Sequence, residues 1–344
     1  MKSRRKYVDI IVFGGNRQKE DGPLITFCLE AKKLGYSLFV FTDPLHSALP
    51  AKDGDFCYLL NKHNIHHKVT ASLNYDHIKR FVGPTTLGIS INSCWIFKDD
   101  IITLFGERLI NYHGAKLPEE RGAAAYSWKI MRGERMGQLT LHQIVRKIDS
   151  GQVCKKMNID FPDKVKCPSD FYVYMEKKER MFFRRFLQRY RENNVLDFNP
   201  LAFSKSYYWP PLHTLTHGWI DWSWNDEQVC DFINAFSSPF QGASTYLKGE
   251  RVFLRGSSLS SSDLHFHPFQ SGIIVRILND DIFVVASNGL IQIHELKNEN
   301  GNSIITKVRE GDRFYTPYDE LNSARCSKVI RKPTGYIIRN YEEP

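Results

Sequence analysis

No run of the 344-residue sequence approaches the ~18 consecutive apolar residues that a membrane-spanning helix needs, which argues against an integral membrane protein. Paired cysteines are missing as well. The seven cysteines (Cys28, Cys57, Cys94, Cys154, Cys167, Cys230 and Cys326) are odd in number, widely scattered and never in a Cys-x-x-Cys pair. That usage fits a reduced, cytoplasmic chain. There is no Gly-x-x-x-x-Gly-Lys-Ser/Thr loop, no His-Glu-x-x-His and no Gly-x-Ser-x-Gly elbow, so the chemistry those motifs carry is not expected. Gly14-Gly15 follows an apolar run but lacks the third glycine of a dinucleotide fingerprint. The start, MKSRRKYVDIIVFGG, has a basic cluster and only a short apolar run without a small-residue cleavage site. It reads as a first strand rather than a signal peptide. His63, His66 and His67 have metal-like spacing, and His265 and His267 alternate. None has a recognisable carboxylate or cysteine partner, so no metal is expected.

What the sequence does have is material for a core. It is 42% hydrophobic and 13% aromatic, which excludes a disordered chain. At ~100–200 residues per domain, its length suggests two domains. The net charge is +9, and it is unevenly divided. Up to Pro210 there are 34 basic and 22 acidic residues, or +12, whereas the remainder has 13 basic and 16 acidic, or −3.

The first two hundred residues alternate strand and helix signals. Strands are predicted at Tyr7–Phe13, Ser37–Thr42, Thr86–Ile91 and Ile110–Tyr112, and helices at Pro23–Leu34, Asp55–Asn64, Tyr75–Phe81, Lys98–Phe105 and Ala123–Met131. This alternation argues for a doubly wound, mostly parallel α/β sheet, where chemistry gathers at the carboxyl ends of the strands. Two strand-like segments follow, Gln138–Val145 and Gln152–Phe161. After them a long helix runs from Ser169 or Asp170 to about Glu192, with Phe171, Met175, Phe182, Phe186 and Tyr190 on one face and seven basic residues mostly elsewhere. Phe198–Leu215, rich in aromatics and proline, reads as a linker. Beyond it come a short helix at Asp226–Phe236 and strands at Arg251–Arg255, Gly272–Leu278, Ile282–Ser287 and Leu290–Leu296. The Asn288-Gly289 pair between the last two is a hairpin signal, and the spacing suggests a small β-barrel. The expected division is 1–197 for the catalytic part, 198–215 for the linker and 216–344 for a β-rich, OB-like part.

The informative stretch is Asn111-Tyr112-His113-Gly114-Ala115-Lys116-Leu117-Pro118 with Arg121-Gly122, followed by Thr140-Leu141-His142 and Asp149-Ser150-Gly151. Residues two apart in a strand face the same way, so Asn111 and His113 converge. An amide donor beside an imidazole suits a developing oxyanion, and a carboxylate from another segment could set the imidazole's tautomer.

This pattern, Asn-x-His-Gly-x-x-Leu-Pro-x-x-Arg-Gly followed by Thr-Leu-His-x-x-x-x-x-x-Asp-x-Gly, strongly resembles the 10-formyltetrahydrofolate-dependent formyltransferases. These include methionyl-tRNA, glycinamide ribonucleotide and sugar N-formyltransferases. Gly218–Trp222 and Phe240–Tyr246 also look like the family's linker and the start of its C-terminal part. The resemblance implies that Asn111 binds the formyl oxygen, that His113 stabilises the oxyanion and assists proton transfer, and that Asp149 orients and charges His113. It implies a pterin site along Ser90–Ile96, with Ser90, Asn92, Cys94, Trp95 and Ile96 as contacts. The co-substrate would be 10-formyltetrahydrofolate, and a homodimer is a further family expectation.

Three amine substrates compete. A methionyl-tRNA enzyme of this family has a basic insertion after the second strand and a basic C-terminal part. Here Thr42–Cys57 contains a single basic residue, Lys52, and the C-terminal part is acidic, so phosphate neutralisation along RNA is disfavoured. The added C-terminal part disfavours glycinamide ribonucleotide. What remains is a dTDP- or UDP-linked amino sugar for surface polysaccharide (O-antigen or lipopolysaccharide) synthesis. Lys116, Arg121, Tyr126 and Trp128 are the candidate contacts for its diphosphate and rings. The family's usual aromatic-Pro-Arg is replaced by Trp209-Pro210-Pro211, with Pro211 in the arginine position. A non-catalytic nucleic-acid-binding protein built on an OB-like fold is the rival from another class.

Overall fold

The computed structural model describes residues 7–16, 22–51, 54–262 and 265–341. His63, His66 and His67 lie among them, and so do His265 and His267.

A seven-stranded sheet organises the N-terminal part. Its first strand, β1 (Ile10–Gly14), is buried along its whole length, as expected of a central parallel strand covered on both faces. Helix α1 (Pro23–Lys33) starts with Pro23 at its first position and ends before Gly35, whose φ of +80° suits the left-handed turn there. Then follow β2 (Leu38–Thr42), the one-turn helix α2 (Pro44–Ser47) capped by Asp43, and a two-residue pair, β3 (Pro50–Ala51) and β4 (Gly54–Asp55). Helix α3 (Phe56–Lys62) leads to β5 (His67–Val69), an edge strand that its polar sequence conceals, and α4 (Tyr75–Lys79) leads to β6 (Leu87–Ile91). After α5 (Asp99–Phe105) comes β7 (Leu109–His113). A short strand, β8 (Arg121–Gly122), and α6 (Ala125–Met131) precede the antiparallel pair β9 (Met136–Gln143) and β10 (Val153–Asp160). The sheet order is β10-β9-β7-β6-β1-β2-β5, parallel from β7 onward. The expected α/β fold is thus present.

Helix α7 (Pro168–Asn193) buries Phe171, Met175, Phe182, Phe183, Phe186 and Tyr190 and leaves most of its basic residues exposed. Phe183 meets Phe27 of α1 edge-on and packs on Tyr112 of β7. The same face buries Glu179, which accepts a hydrogen bond from the Tyr112 hydroxyl at 2.5 Å.

The segment expected to be only a linker contributes β11 (Tyr208–Trp209), which pairs in parallel with β8. Short helix α8 (Thr214–His217) and α9 (Asp226–Ala235) follow; α9 docks on the N-terminal part, where the Ser127 hydroxyl donates to the Ala235 carbonyl. The second sheet is antiparallel and six-stranded, built from β12 (Ala243–Leu247), β13 (Glu250–Ser260), β14 (Ile274–Leu278), β15 (Asp281–Val285), β16 (Leu290–Lys297) and β17 (Phe314–Tyr315). Its order is β14-β15-β16-β13-β12-β17, with Asn288-Gly289 joining β15 and β16 as predicted. One hydrophobic core runs from Ile10 and Phe183 through Trp222 and Phe236 to Ile293 and Phe314. After α10 (Tyr318–Cys326), a hairpin of β18 (Ser327–Lys332) and β19 (Gly335–Asn340) returns to the N-terminal part. The Leu45 N–H donates to the Pro333 carbonyl at its tip. Among the described residues, no helix is long and apolar enough to cross a membrane.

Burial lifts the Glu179 carboxyl from 4.5 to about 7, with the Tyr112 hydroxyl opposing the rise and Glu176 adding to it. The unfolded chain ionises this group at lower pH, so its contribution to stability is present in acid and is lost as pH rises from about 4.5 to about 7. Glu179→Gln keeps an acceptor for Tyr112 and removes the titration. Thermal unfolding followed across that range should show the wild-type protein losing on the order of 3 kcal/mol relative to the variant.

Candidate active site

Strand β7 places the first two candidates. Asn111 and His113 lie on one face at its carboxyl end, while Tyr112 between them points to α7. The register with β9 sets His142 opposite Asn111 and Thr140 opposite His113. The sheet itself therefore brings His142 to the site, where its Nε2 lies 3.0 Å from the Asn111 amide nitrogen. His142 Nδ1 lies 2.9 Å from the Gln143 carbonyl, which can only accept. In its neutral form His142 therefore takes a hydrogen from Asn111 at Nε2.

Asp149 comes from the loop between β9 and β10. Its φ of +49° is left-handed, and Gly151 lies so close to β9 that a Cβ would sit 1.9 Å from the Gln143 carbonyl oxygen. This tight loop aims the carboxylate inward. Oδ2 accepts from the Gly122 N–H at 2.9 Å and lies 3.8 Å from His113 Nδ1, and Oδ1 lies 3.4 Å from His142 Nε2. Burial works to raise this carboxyl. When His113 and His142 are protonated, their charges, the hydrogen bond that His142 Nε2 can then donate and the Gly122 N–H outweigh burial and lower this carboxyl below the usual carboxylate range.

His113 is buried, and its Nε2 lies 2.6 Å from the Glu120 carbonyl. That carbonyl fixes a hydrogen on Nε2 and leaves the lone pair on Nδ1, facing Asp149. Glu120 in turn is locked: Oε1 accepts from Lys129 at 2.8 Å and Arg132 at 2.6 Å, and Oε2 from the Lys116 N–H at 3.0 Å. Lys129 is itself almost fully buried and also donates to the Met136 carbonyl. Glu120, Lys129 and His142 are the functional neighbours that sequence reasoning missed. His142 stood in the quoted motif and could have been found from strand register; Glu120 and Lys129 gave no signal.

Strand β6 lies beside β7, with Ser90 opposite Asn111. Ser90 is buried. Asn92 has a φ of +55° and donates to the Gly15 carbonyl at 3.3 Å, binding the loop after β6 to the end of β1. Cys94 Sγ lies 4.0 Å from His46 Nδ1. Ile96 is exposed. The Trp95 ring is buried in the cluster of Ile11 and Phe13 and its indole N–H donates to the Ala71 carbonyl, so only its backbone is left to face a ligand.

Two of the four expected substrate contacts are corrected. Tyr126 stacks on Phe171 and meets Phe161 and Tyr172 edge-on, so its ring is a packing element. Trp128 tilts against Trp209 and donates its N–H to the Pro210 carbonyl, which anchors the segment carrying β11. Lys116 is half-exposed and pairs with Glu119 at 3.3 Å. Arg121 lies in β8 next to the Gly122 that holds Asp149; its Nε is buried and has no hydrogen-bond partner among the described residues.

Family models describing a formyl transferase and a formyl transferase C-terminal domain match residues 94–167 and 214–308 respectively. Over these two segments, together just under half of the chain, it is similar to the formyl transferase family. It is 25% identical over 165 residues, 48% of its length, to the bifunctional polymyxin resistance protein ArnA of Wigglesworthia glossinidia brevipalpis, and spans about a quarter of that relative's length. Among solved structures it resembles the sugar 3N-formyl transferase WlaRD, crystallised with dTDP and 5-N-formyl-THF (TM-score 0.61, 17% identity, 83% of this chain and 96% of that one). It also resembles an N-formyltransferase from Helicobacter canadensis in complex with folinic acid and dTDP-3-aminofucose (TM-score 0.61, 15% identity, 83% and 98%). At such identities these likenesses establish the fold. Within it, the matched N-terminal segment contains Asn111, His113, His142 and Asp149.

The Asp149 loop offers a direct test of its packing. Gly151→Ala forces a Cβ into the Gln143 carbonyl of β9 and should cost on the order of 3 kcal/mol or more, read as a fall in the thermal midpoint.

Proposed function

We propose that this protein transfers a formyl group from 10-formyltetrahydrofolate to the primary amine of a nucleotide-linked amino sugar. The observation that carries the reading is the joining of Asn111 and His113, at the carboxyl end of β7, with Asp149 from the loop between β9 and β10, each polar atom's partner dictating its state. The residues present suit the co-substrate. The stretch after Ser93 runs without regular structure as far as Lys98, which leaves peptide groups outside any ladder for a pterin edge, and it follows β6, whose Ser90 lies opposite Asn111.

The proton states assign the work. One Asn111 amide hydrogen goes to His142, and the second is left to donate to the formyl oxygen as it gains negative charge. His113 cannot offer its Nε2 hydrogen to that oxygen while the Glu120 carbonyl holds it. Its role is therefore proton transfer at Nδ1. As the amine attacks the formyl carbon, Nδ1 takes the proton released by the new C–N bond. His113 then returns that proton to the folate nitrogen as the old C–N bond breaks. Asp149, 3.8 Å away, stabilises the imidazolium between the two transfers.

The +12 on the part containing this site suits a diphosphate, and Arg121 and Lys116 stand nearest as cations; the acidic remainder suits neither tRNA nor a general nucleic-acid role.

Assays with 10-formyltetrahydrofolate and a panel of dTDP- and UDP-amino sugars, with charged initiator tRNA as comparison, test the substrate class. Turnover on tRNA alone would overturn it. Asp149→Asn keeps the acceptor for Gly122 and removes the charge, so kcat should fall by about 10²–10³ with little change in KM, as expected when only transition-state charge is affected. Asn111→Ala should lower kcat by a similar factor of about 10²–10³ through loss of the oxyanion donor. Full turnover in both variants would refute the mechanism.

A further inference from the structure

Away from Asn111 and His113, the fold buries a second polar constellation. Asp43 and His46 are both completely buried, at the end of β2 and in α2. The Asp43 carboxylate caps α2 by accepting the His46 N–H at 2.9 Å, and its other oxygen lies 2.6 Å from His46 Nδ1. On the opposite side of the ring, Nε2 lies 2.7 Å from the Arg331 guanidinium, which arrives from β18, 285 residues further along the chain. A guanidinium only donates, so Nε2 must be the acceptor and Nδ1 must carry the hydrogen given to Asp43. His46 is thereby neutral, in a single tautomer.

Three donor atoms of Asp43, His46 and Cys94 lie within 4.8 Å of one another, a spacing at which a cation can be considered. The bonding speaks against one. Ligands sharing a tetrahedral ion stand ~3.3 Å apart or more, whereas the carboxylate and Nδ1 are 2.6 Å apart. A metal on Nδ1 would also leave a hydrogen on Nε2 aimed at a cation. The constellation is a hydrogen-bonded chain.

What this chain supports is the end of the cleft. A Cβ on Gly15 would lie 2.3 Å from the His46 ring, so Gly15 at the end of β1 rests directly on the imidazole. The Gly15 carbonyl accepts from Asn92, and Cys94 of the same loop after β6 lies against His46. Gly15 and the loop after β6, at the co-substrate end of the site, are thus seated on His46.

We propose that Arg331 is a positioning residue for formyl transfer: by holding His46 neutral and rigid it fixes Gly15 at the end of β1 and the loop after β6, which makes the C-terminal hairpin a working part of the N-terminal site. The inference rests on the proposed formyl transfer for its ligand. The hairpin tip is also pinned by the Leu45 N–H on the Pro333 carbonyl, so the hairpin has a second anchor independent of Arg331. Among the described residues, Asp43 on its own segment, Cys94 on the loop after β6 and Arg331 on β18 face the imidazole.

The test uses the full chain with Arg331→Met and Arg331→Lys, the latter retaining a cationic donor. Two readouts are taken: the dissociation constant of 5-formyltetrahydrofolate, a stable analogue of the co-substrate, and the imidazole nitrogen resonances of His46, assigned with His46→Gln. For Arg331→Met the dissociation constant should rise by about tenfold or more, with KM for the co-substrate rising more than kcat falls. In that variant His46 should acquire a second proton and titrate as pH falls. Arg331→Lys should restore much of the affinity and the neutral ring. Affinity within about twofold of wild type in Arg331→Met, or a His46 ring that stays neutral there, would overturn the proposal. Absence of folate binding by the wild-type protein would instead refute formyl transfer, and the nitrogen resonances would still decide whether Arg331 sets the state of His46.

Discussion

The site depends on keeping one buried carboxylate charged. Desolvation alone would drive Asp149 to its neutral form, and a neutral acid could not stabilise an imidazolium. Compensation comes from three directions: the Gly122 N–H, His142 and His113. Each of these has its own requirement. Gly122 is held in place because β8 pairs with β11, His142 because β9 pairs with β7, and His113 because Glu120, its side chain locked by Lys129 and Arg132, presents its backbone carbonyl. The arrangement of loops around the end of β7 follows from satisfying this anion.

The same constraint explains the division of labour between donors. Backbone carbonyls at Gln143 and Glu120 fix which nitrogen of each imidazole carries hydrogen. The amide of Asn111 is then left as the oxyanion donor and Nδ1 of His113 as the proton acceptor, so the proton inventory separates two roles that residue types alone leave combined.

A large part of this was legible in the chain. The apolar runs of β1 and β6, the amphipathic face of α7 and the Asn288-Gly289 turn follow local rules of period and turn chemistry. The convergence of Asn111 and His113 follows from strand alternation alone. Less was legible where pairing or packing with distant segments decides. His67–Val69 and Tyr208–Trp209 become strands because neighbours offer them a ladder. Tyr126 and Trp128 suit ligand contacts as residue types, but their rings pack against Phe171 and Trp209.

By itself the sequence determined the α/β class, the motif and the uneven charge, because each is set by residue type and short spacing. Tertiary structure decided the rest: the hydrogen positions on His113 and His142, the ionised state of Asp149, and the reach of Arg331 to His46 across 285 residues. The physical reason is that protonation and orientation of a buried polar group are fixed by its partners and by the absence of water. Those partners are brought together only when the sheet closes and the C-terminal hairpin folds back.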